Sequence, residues 1–339
     1  MIKILLLLTE DENQALYLKE EINLKRKKSL IVLMILGILL SVGSPASAAF
    51  WEMNGNTFTH DPTLIKEDNY WYQFYTGEGL KVSQAGDNMN WREVPQIFPE
   101  PLSWWSDYVP NQNYNDVWAP DIQYYNGKYW LYYSVSEFGE NTSAIGLMSA
   151  DRIDAGNWRD EGMVINSSSS DNFNALDPNL VIDENGEPWL AFGSFWSGLK
   201  VTKLDPATMK PNGGAYHSIA ARPNNNDAIE NPNITYKDGY YYLFTSIDKC
   251  CDGVNSTYKI TVGRSENITG PYYDKNGVNM LYGGGTIFDG GNERFPGVGG
   301  QFVYNNNIFV RHAYDADDNG VPKLLINDLY WDNQGWPRY

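Results

Sequence analysis

A chain of 339 residues with 42 acidic against 25 basic side chains carries a formal charge of −17, the wrong sign for binding nucleic-acid phosphate or an anionic membrane surface. Its two cysteines, Cys250 and Cys251, are adjacent and too few for a zinc site; buried thiols at a strand end rank somewhat above a strained vicinal disulfide, because adjacent residues rarely meet disulfide geometry.

In chain order, the first feature is an address. Lys25-Arg26-Lys27-Lys28, an apolar run from Leu30 to Val42 and Ala46-Ser47-Ala48 form the three parts of a secretory signal peptide. The run is shorter than the roughly 20 residues that span a bilayer, and no cysteine at the cleavage point could take a lipid. Residues 1–48 are therefore read as an N-terminal extension plus signal peptide, and 49–339 as one secreted domain with no stable membrane association after cleavage.

From there one phrase recurs. His60-Asp61-Pro62-Thr63-Leu64, Trp118-Ala119-Pro120-Asp121-Ile122, Leu176-Asp177-Pro178-Asn179-Leu180 and Glu230-Asn231-Pro232-Asn233-Ile234 share the form x-x-Pro-x-apolar, with prolines 58, 58 and 54 residues apart. A degenerate fifth copy, Gly299-Gly300-Gln301-Phe302, is aligned with Gly300 in the proline's place. Each copy is followed by a hairpin signal: Asp68-Asn69, Asn126-Gly127, Asn185-Gly186, Asp238-Gly239 and Asn306-Asn307. Aromatic and β-branched second strands follow at Tyr70 to Tyr75, Lys128 to Tyr133, Trp189 to Phe192, Tyr240 to Phe244 and Ile308 to Arg311. Third strands are expected at Gly79 to Ser83, Ala144 to Ser149, Leu199 to Lys203, Lys259 to Arg264 and Lys323 to Ile326, and fourth ones near Trp91, Trp158, Tyr216, Tyr272 and Trp336. A repeat of this length cannot bury its own apolar faces, so the copies must stack. Five four-stranded antiparallel meanders make an all-β, five-bladed β-propeller.

In a propeller the segments entering the innermost strands line one mouth of a central channel. Aligned there are Asp61, Ala119, Asp177, Asn231 and Gly299, with Glu230 displaced by one, so three carboxylates converge. Two carboxyls facing each other across a sugar ring are what glycoside hydrolysis needs, and a third would raise the acid's pKa by repulsion.

These phrases, together with Gly193-Ser194-Phe195-Trp196-Ser197-Gly198 and Asp248-Lys249-Cys250-Cys251-Asp252-Gly253, resemble the endo-1,5-α-L-arabinanases of glycoside hydrolase family 43 from about Thr59 to Trp336. The resemblance implies an inverting enzyme that makes internal cuts in the α-1,5-linked arabinan of pectin. Asp61 would be the general base, Glu230 the general acid and Asp177 the residue that tunes and orients the acid. It also implies sugar contact at His60, and a calcium ion on the propeller axis ligated by His312.

Trp118, Phe195 and Trp196 could offer flat faces to sugar rings or pack between blades, and Asn179 could bond substrate hydroxyls or bridge blades. Asp121, which follows its proline, is expected to be structural, and Asp315 to Gly320 to be a polar hairpin turn rather than a calcium loop, since Ile326 stands where such a loop needs Glu. Departures are the Pro296 to Gln301 stretch, where many relatives carry a histidine, and Asn231, where a small residue is common. Partners are accordingly arabinan and arabino-oligosaccharides. The alternatives are an exo-acting β-xylosidase or α-L-arabinofuranosidase on the same scaffold, and a non-catalytic sugar-binding propeller.

Overall fold

The hairpin signals are where the chain reverses. Asp68, Asn126 and Gly127, Gly186, Asp238 and Gly239, and Asn305 and Asn306 all have positive φ, the geometry that matches a short turn to the twist of its flanking strands. In the fifth repeat the turn centres one residue earlier than the sequence suggests. The structure, a computed structural model, describes residues 23–28 and 49–339. It divides into two units, Met1–Ala49 and Phe50–Tyr339. In the first, residues 23–28 are helical, while the apolar run and the small-residue cleavage site read as a signal peptide lie outside the described residues. Among the described residues no helix is long and apolar enough to cross a membrane.

The second unit is a five-bladed propeller. Blade one is built from Thr63–Glu67, Tyr70–Tyr75, Lys81–Ala85 and Asn90–Val94. Blade two comprises Asp116–Tyr125, Lys128–Ser136, Ser143–Ala150 and Arg159–Ser167. In blade three Asn179–Ile182, Pro188–Phe192, Leu199–Asp205 and His217–Ala220 follow the same path. Blade four runs Ile229–Lys237, Tyr240–Ile247, Lys259–Ser265 and Thr286–Asp289. Blade five has three strands of its own, Gly299–Tyr304, Ile308–Asp315 and Val321–Asp328.

No blade is buried by itself; five separate apolar clusters fill the five junctions between neighbours. Between blades one and two, Trp105 is 1% exposed, wedged against Phe98 and Tyr133 at ring distances of 5.0 and 5.9 Å. Burying one such ring is worth about 2–3 kcal/mol, so the aromatic runs of the second strands are what hold the ring of blades together.

Two of the expected outer strands lie elsewhere. Tyr272 is fully buried in the junction between blades three and four, its hydroxyl donating to the Ile268 carbonyl, and Thr286–Asp289 takes the outer edge of blade four instead. A packing aromatic in a loop carries the same local composition as a strand. Trp336 belongs to a small hairpin of Tyr330–Trp331 and Pro337–Arg338 that packs on Tyr242. The edge of blade five is covered by the segment before the first repeat: Trp51 N–H donates to the Ile326 carbonyl, Leu324 N–H to the Thr57 carbonyl, and Phe58 bridges Lys323. The same segment pairs with Asn90–Val94 through Asn54–Gly55, so it ties blade five to blade one. An unpaired edge at Val321–Asp328 would leave a row of open backbone groups.

Candidate active site

Each recurring phrase folds as a kink at the axis. Asp61, Ala119, Asp177, Asn231 and Gly300 all have φ between 41° and 57°, and the pairing shifts register at Trp118/Asp121, Glu230/Asn233 and Gly299/Phe302. Such bulges turn a side chain out of the sheet; here they aim it at the channel. The fifth copy is thereby realigned by one: Gly300, not Gly299, matches Asp61, and Gln301 stands where the prolines are. A Cβ on Gly300 would lie 2.6 Å from Asp61 Oδ1 and 2.7 Å from His312 Nδ1, so the kink there accepts only glycine.

The N–H of each kinked residue donates to the preceding blade, closing a hydrogen-bonded belt around the axis. Ala119 donates to Thr76 Oγ1 (2.9 Å), Asp177 to Ser134 Oγ (3.2 Å), Gly300 to Ser246 Oγ (3.1 Å) and Asp61 to His312 Nδ1 (3.1 Å). Blade three has Gly193 at that place and no side chain to offer. Asn231 N–H donates instead to Oδ2 of Asp177, at 3.0 Å.

Asp61 sits 16% exposed at the start of blade one. Its Oδ2 pairs with His60 Nδ1 (2.8 Å) and accepts the Thr76 hydroxyl (2.8 Å). Burial alone would raise this carboxyl, but His60, His312 and Thr76 outweigh it and hold the group well below the usual carboxylate range. His60 is raised: burial opposes its charging, but the Asp61 charge and hydrogen bond and the Glu230 charge exceed that. Its Nε2 meets the Tyr314 hydroxyl at 3.0 Å and its ring stacks on His312 at 3.9 Å.

Glu230 is set oppositely. It accepts hydroxyls from Ser194 (2.7 Å, Oε2) and Tyr258 (2.7 Å, Oε1), and among the described residues no cation pairs with it. Burial raises it, the two hydroxyls offset part of that, and the Asp61 charge adds to the rise. Asp177 is raised well above the ordinary range by burial and by the charges of Glu230 and Asp61, against the Asn231 N–H. The three carboxyls therefore share one electrostatic environment, in which burial and mutual repulsion both oppose a double charge on the buried Asp177/Glu230 pair.

Of the other residues singled out from the sequence, Phe195 and Trp196 form a half-exposed loop with φ of 55° and 46°, rare for aromatics. That loop is stitched to the Glu230 strand by Phe195 N–H to the Ile229 carbonyl (2.8 Å) and by the Ser194–Glu230 bridge. Trp118 is partly exposed, its Nε1 donating to Asp116, its ring edge-on to Phe138, which is 83% exposed. Asn179 corrects an expectation, because it does not reach the sugar site. It is 2% exposed, donates to Asp121 Oδ1 and accepts Ile234 N–H, so its amide bridges blades two, three and four. Asp121 is structural as expected, accepting Leu180 N–H, and burial pushes it up to about 7 against those bonds. The Asp315 stretch is a hairpin turn, with Asp315 capping a short 3₁₀ segment. Cys250 and Cys251 form the vicinal disulfide, the second of the two readings, and not buried thiols: Cys250 is partly exposed and Cys251 exposed, in a tight turn with Cys251 at φ 67°.

Four site residues escaped the sequence: Thr76, Ser194, Tyr258 and Tyr314. A signal existed for the first, because Thr76, Ser134 and Ser246 each stand 14 residues after their blade's proline (76 − 62, 134 − 120, 246 − 232). Tyr258 had none; its ring occupies space that a Cβ on Gly299 would fill, a long-range fit that no local pattern encodes.

A family model described as glycosyl hydrolases family 43 matches residues 55–337. The chain is 62% identical over 307 residues to extracellular endo-α-(1→5)-L-arabinanase 1 of Bacillus subtilis (strain 168), covering 89% of this chain and 94% of that protein. It is 40% identical over 297 residues to an extracellular exo-α-(1→5)-L-arabinofuranosidase of Cellvibrio japonicus, covering 82% and 85%. Among solved structures, a family 43 endo-arabinanase from Bacillus licheniformis superposes with a TM-score of 0.84 at 66% identity, over 86% of this chain and all of that one. With the propeller, the axial carboxyls and matches over nearly the whole second unit, this chain belongs to glycosyl hydrolases family 43.

Proposed function

We propose that the protein is an extracellular glycoside hydrolase that makes internal cuts in α-1,5-linked L-arabinan, inverting the anomeric centre, and that it takes arabinan and arabino-oligosaccharides as substrates. The names of the Bacillus relatives support the substrate and the internal mode of attack. The observation that carries the chemistry is the opposed setting of two carboxyls on one axis: Asp61 held low by His60 and Thr76, Glu230 raised by burial and held by two neutral hydroxyls. Pairs of titratable groups pushed apart by their surroundings divide acid from base.

In this mechanism the Asp61 carboxylate takes a proton from a water molecule as that water attacks the anomeric carbon. Glu230 gives its proton to the departing glycosidic oxygen on the other side of the ring. Asp177 steadies the acid, since it holds the N–H of the residue next to Glu230 and repulsion between the two buried carboxyls opposes charging both. Trp118, Phe195 and Trp196 border the mouth and offer ring faces to furanose units.

The calcium reading rests on His312. It is fully buried, burial and the His60 charge keep it neutral, and its Nε2 has no partner among protein atoms. Because Nδ1 accepts the Asp61 N–H, the proton of the neutral ring lies on Nε2; His312 would hold calcium through Nε2 only on giving up that bond and moving the proton, with water as the remaining ligands. Such an ion would add positive charge beside Asp61.

Incubation with linear arabinan tests the proposal. Mixed oligomers early in the time course, with products first appearing in the inverted anomeric form by proton NMR, are expected; a single small product from the start would establish an exo enzyme instead. Glu230→Gln should abolish turnover while oligosaccharide binding persists.

A further inference from the structure

We propose that Tyr314 is a positioning residue for the reaction: held by the backbone N–H of Cys251, its hydroxyl fixes the His60 imidazole so that Nδ1–H points at Asp61 Oδ2. This role rests on Asp61 being the base and adds the residues that aim it.

An ionised carboxylate only accepts, so the 2.8 Å contact between Asp61 Oδ2 and His60 Nδ1 puts a proton on Nδ1. On the other side of the ring, Nε2 meets the Tyr314 hydroxyl at 3.0 Å, a contact that holds the imidazole whichever partner supplies the proton. The Tyr314 oxygen in turn accepts the N–H of Cys251 at 2.9 Å. The contacts form one chain: Cys251 N–H to Tyr314, Tyr314 to His60 Nε2, His60 Nδ1–H to Asp61. Thr76 donates to the same Oδ2. With Oδ2 accepting two bonds, Oδ1 is the oxygen left to receive a proton from water. His60, expected to touch sugar, has both ring nitrogens committed to this chain of bonds.

The relay begins at the surface. Tyr314 is 4% exposed, whereas Cys251 lies in an exposed turn shaped by its disulfide to Cys250 and by Asp252 N–H donating to Ser256 Oγ at 3.0 Å. The Asp248 to Gly253 phrase touches none of the three carboxyls, yet it presents one N–H in a fixed direction and so starts the relay.

Nuclear magnetic resonance of protein labelled with ¹⁵N-histidine tests this directly, since the chain has only three histidines. His60 should show a protonated Nδ1 and a hydrogen-bonded Nε2. Tyr314→Phe should shift the Nε2 resonance and lower kcat by about 10–100-fold, the usual cost of losing an outer partner of a working group, with KM changed less than about threefold. A His60 with Nδ1 unprotonated and its proton on Nε2 would overturn the proposal. So would a Tyr314→Phe protein with unaltered kcat. Replacing both cysteines by serine should reproduce the loss in the wild type and add nothing in the Tyr314→Phe background; an additive loss would remove Cys251 from the relay. An Asp61→Ala variant that still turned over would refute the base assignment, while the wild-type spectrum would still judge the role of Tyr314.

Discussion

Asp177 Oδ2 accepts the backbone N–H of Asn231 at 3.0 Å, and Asn231 is the residue that follows Glu230. The carboxyl does for blade four what a side chain at the end of a second strand does at every other junction. It therefore has two separable effects on the acid, one geometric and one electrostatic. Asp177→Asn keeps an oxygen for the N–H but removes the charge. Because two buried carboxyls repel when both are charged, the high-pH limb of the kcat profile, where the pair loses its last proton, should move to lower pH. Asp177→Ala removes both effects and should cost at least ~100-fold in kcat, consistent with loss of a preorganised group. A pH–rate profile of Asp177→Asn that overlays the wild type would refute the electrostatic part.

Gly300 leaves no space beside Asp61 and His312. Gly300→Ala places a methyl group against the base and strains a backbone at φ 57°, at a cost of about 1–3 kcal/mol. The melting temperature should fall by several degrees and kcat by roughly 10-fold or more. Retention of full activity would show that the Asp61 side chain can shift without consequence.

Asp121 makes a prediction about stability rather than rate. Its folded pKa, about 7, lies above the unfolded value, so between roughly pH 4 and 7 the folded protein holds a proton that the unfolded chain has released. The contribution is therefore favourable at low pH and lost as pH rises through about 7. Asp121→Asn should flatten the decline in melting temperature across that window, a difference calorimetry at pH 5 and 7.5 would register. An identical slope in both proteins would refute it.

Trp51 fastens the leading segment to blade five, with Nε1 donating to Asp328 Oδ1 at 2.9 Å and the ring edge-on to Trp71 at 5.8 Å. Trp51→Ala should destabilise by about 2–3 kcal/mol and leave kcat unchanged at low temperature, because the site is built from other residues. Denaturant titration checks the first and a steady-state assay the second.

The repeat was legible because proline, a turn pair and an aromatic run recur at nearly constant spacing, which local chemistry requires of every blade. Asp61, Asp177 and Glu230 were found by the same alignment. What local pattern does not encode is partnership across blades. Asn179 reads like any polar residue after a proline, and only the neighbouring Asp121 and the Ile234 N–H reveal it as a bridge. Tyr258 and Tyr314 lie among 24 tyrosines, and nothing in their surroundings in the chain marks the carboxyl and imidazole they reach in space. Blade five misled for a related reason: its missing strand is not near it in sequence at all.

That borrowed strand governs how the molecule comes into being. Trp51 and Asp328 are 277 positions apart, so during synthesis the leading segment must wait, unmatched, until Val321–Asp328 has emerged. Long-distance pairing of this kind slows folding, and the latch confers cooperativity: undoing it from either strand loosens the same junction.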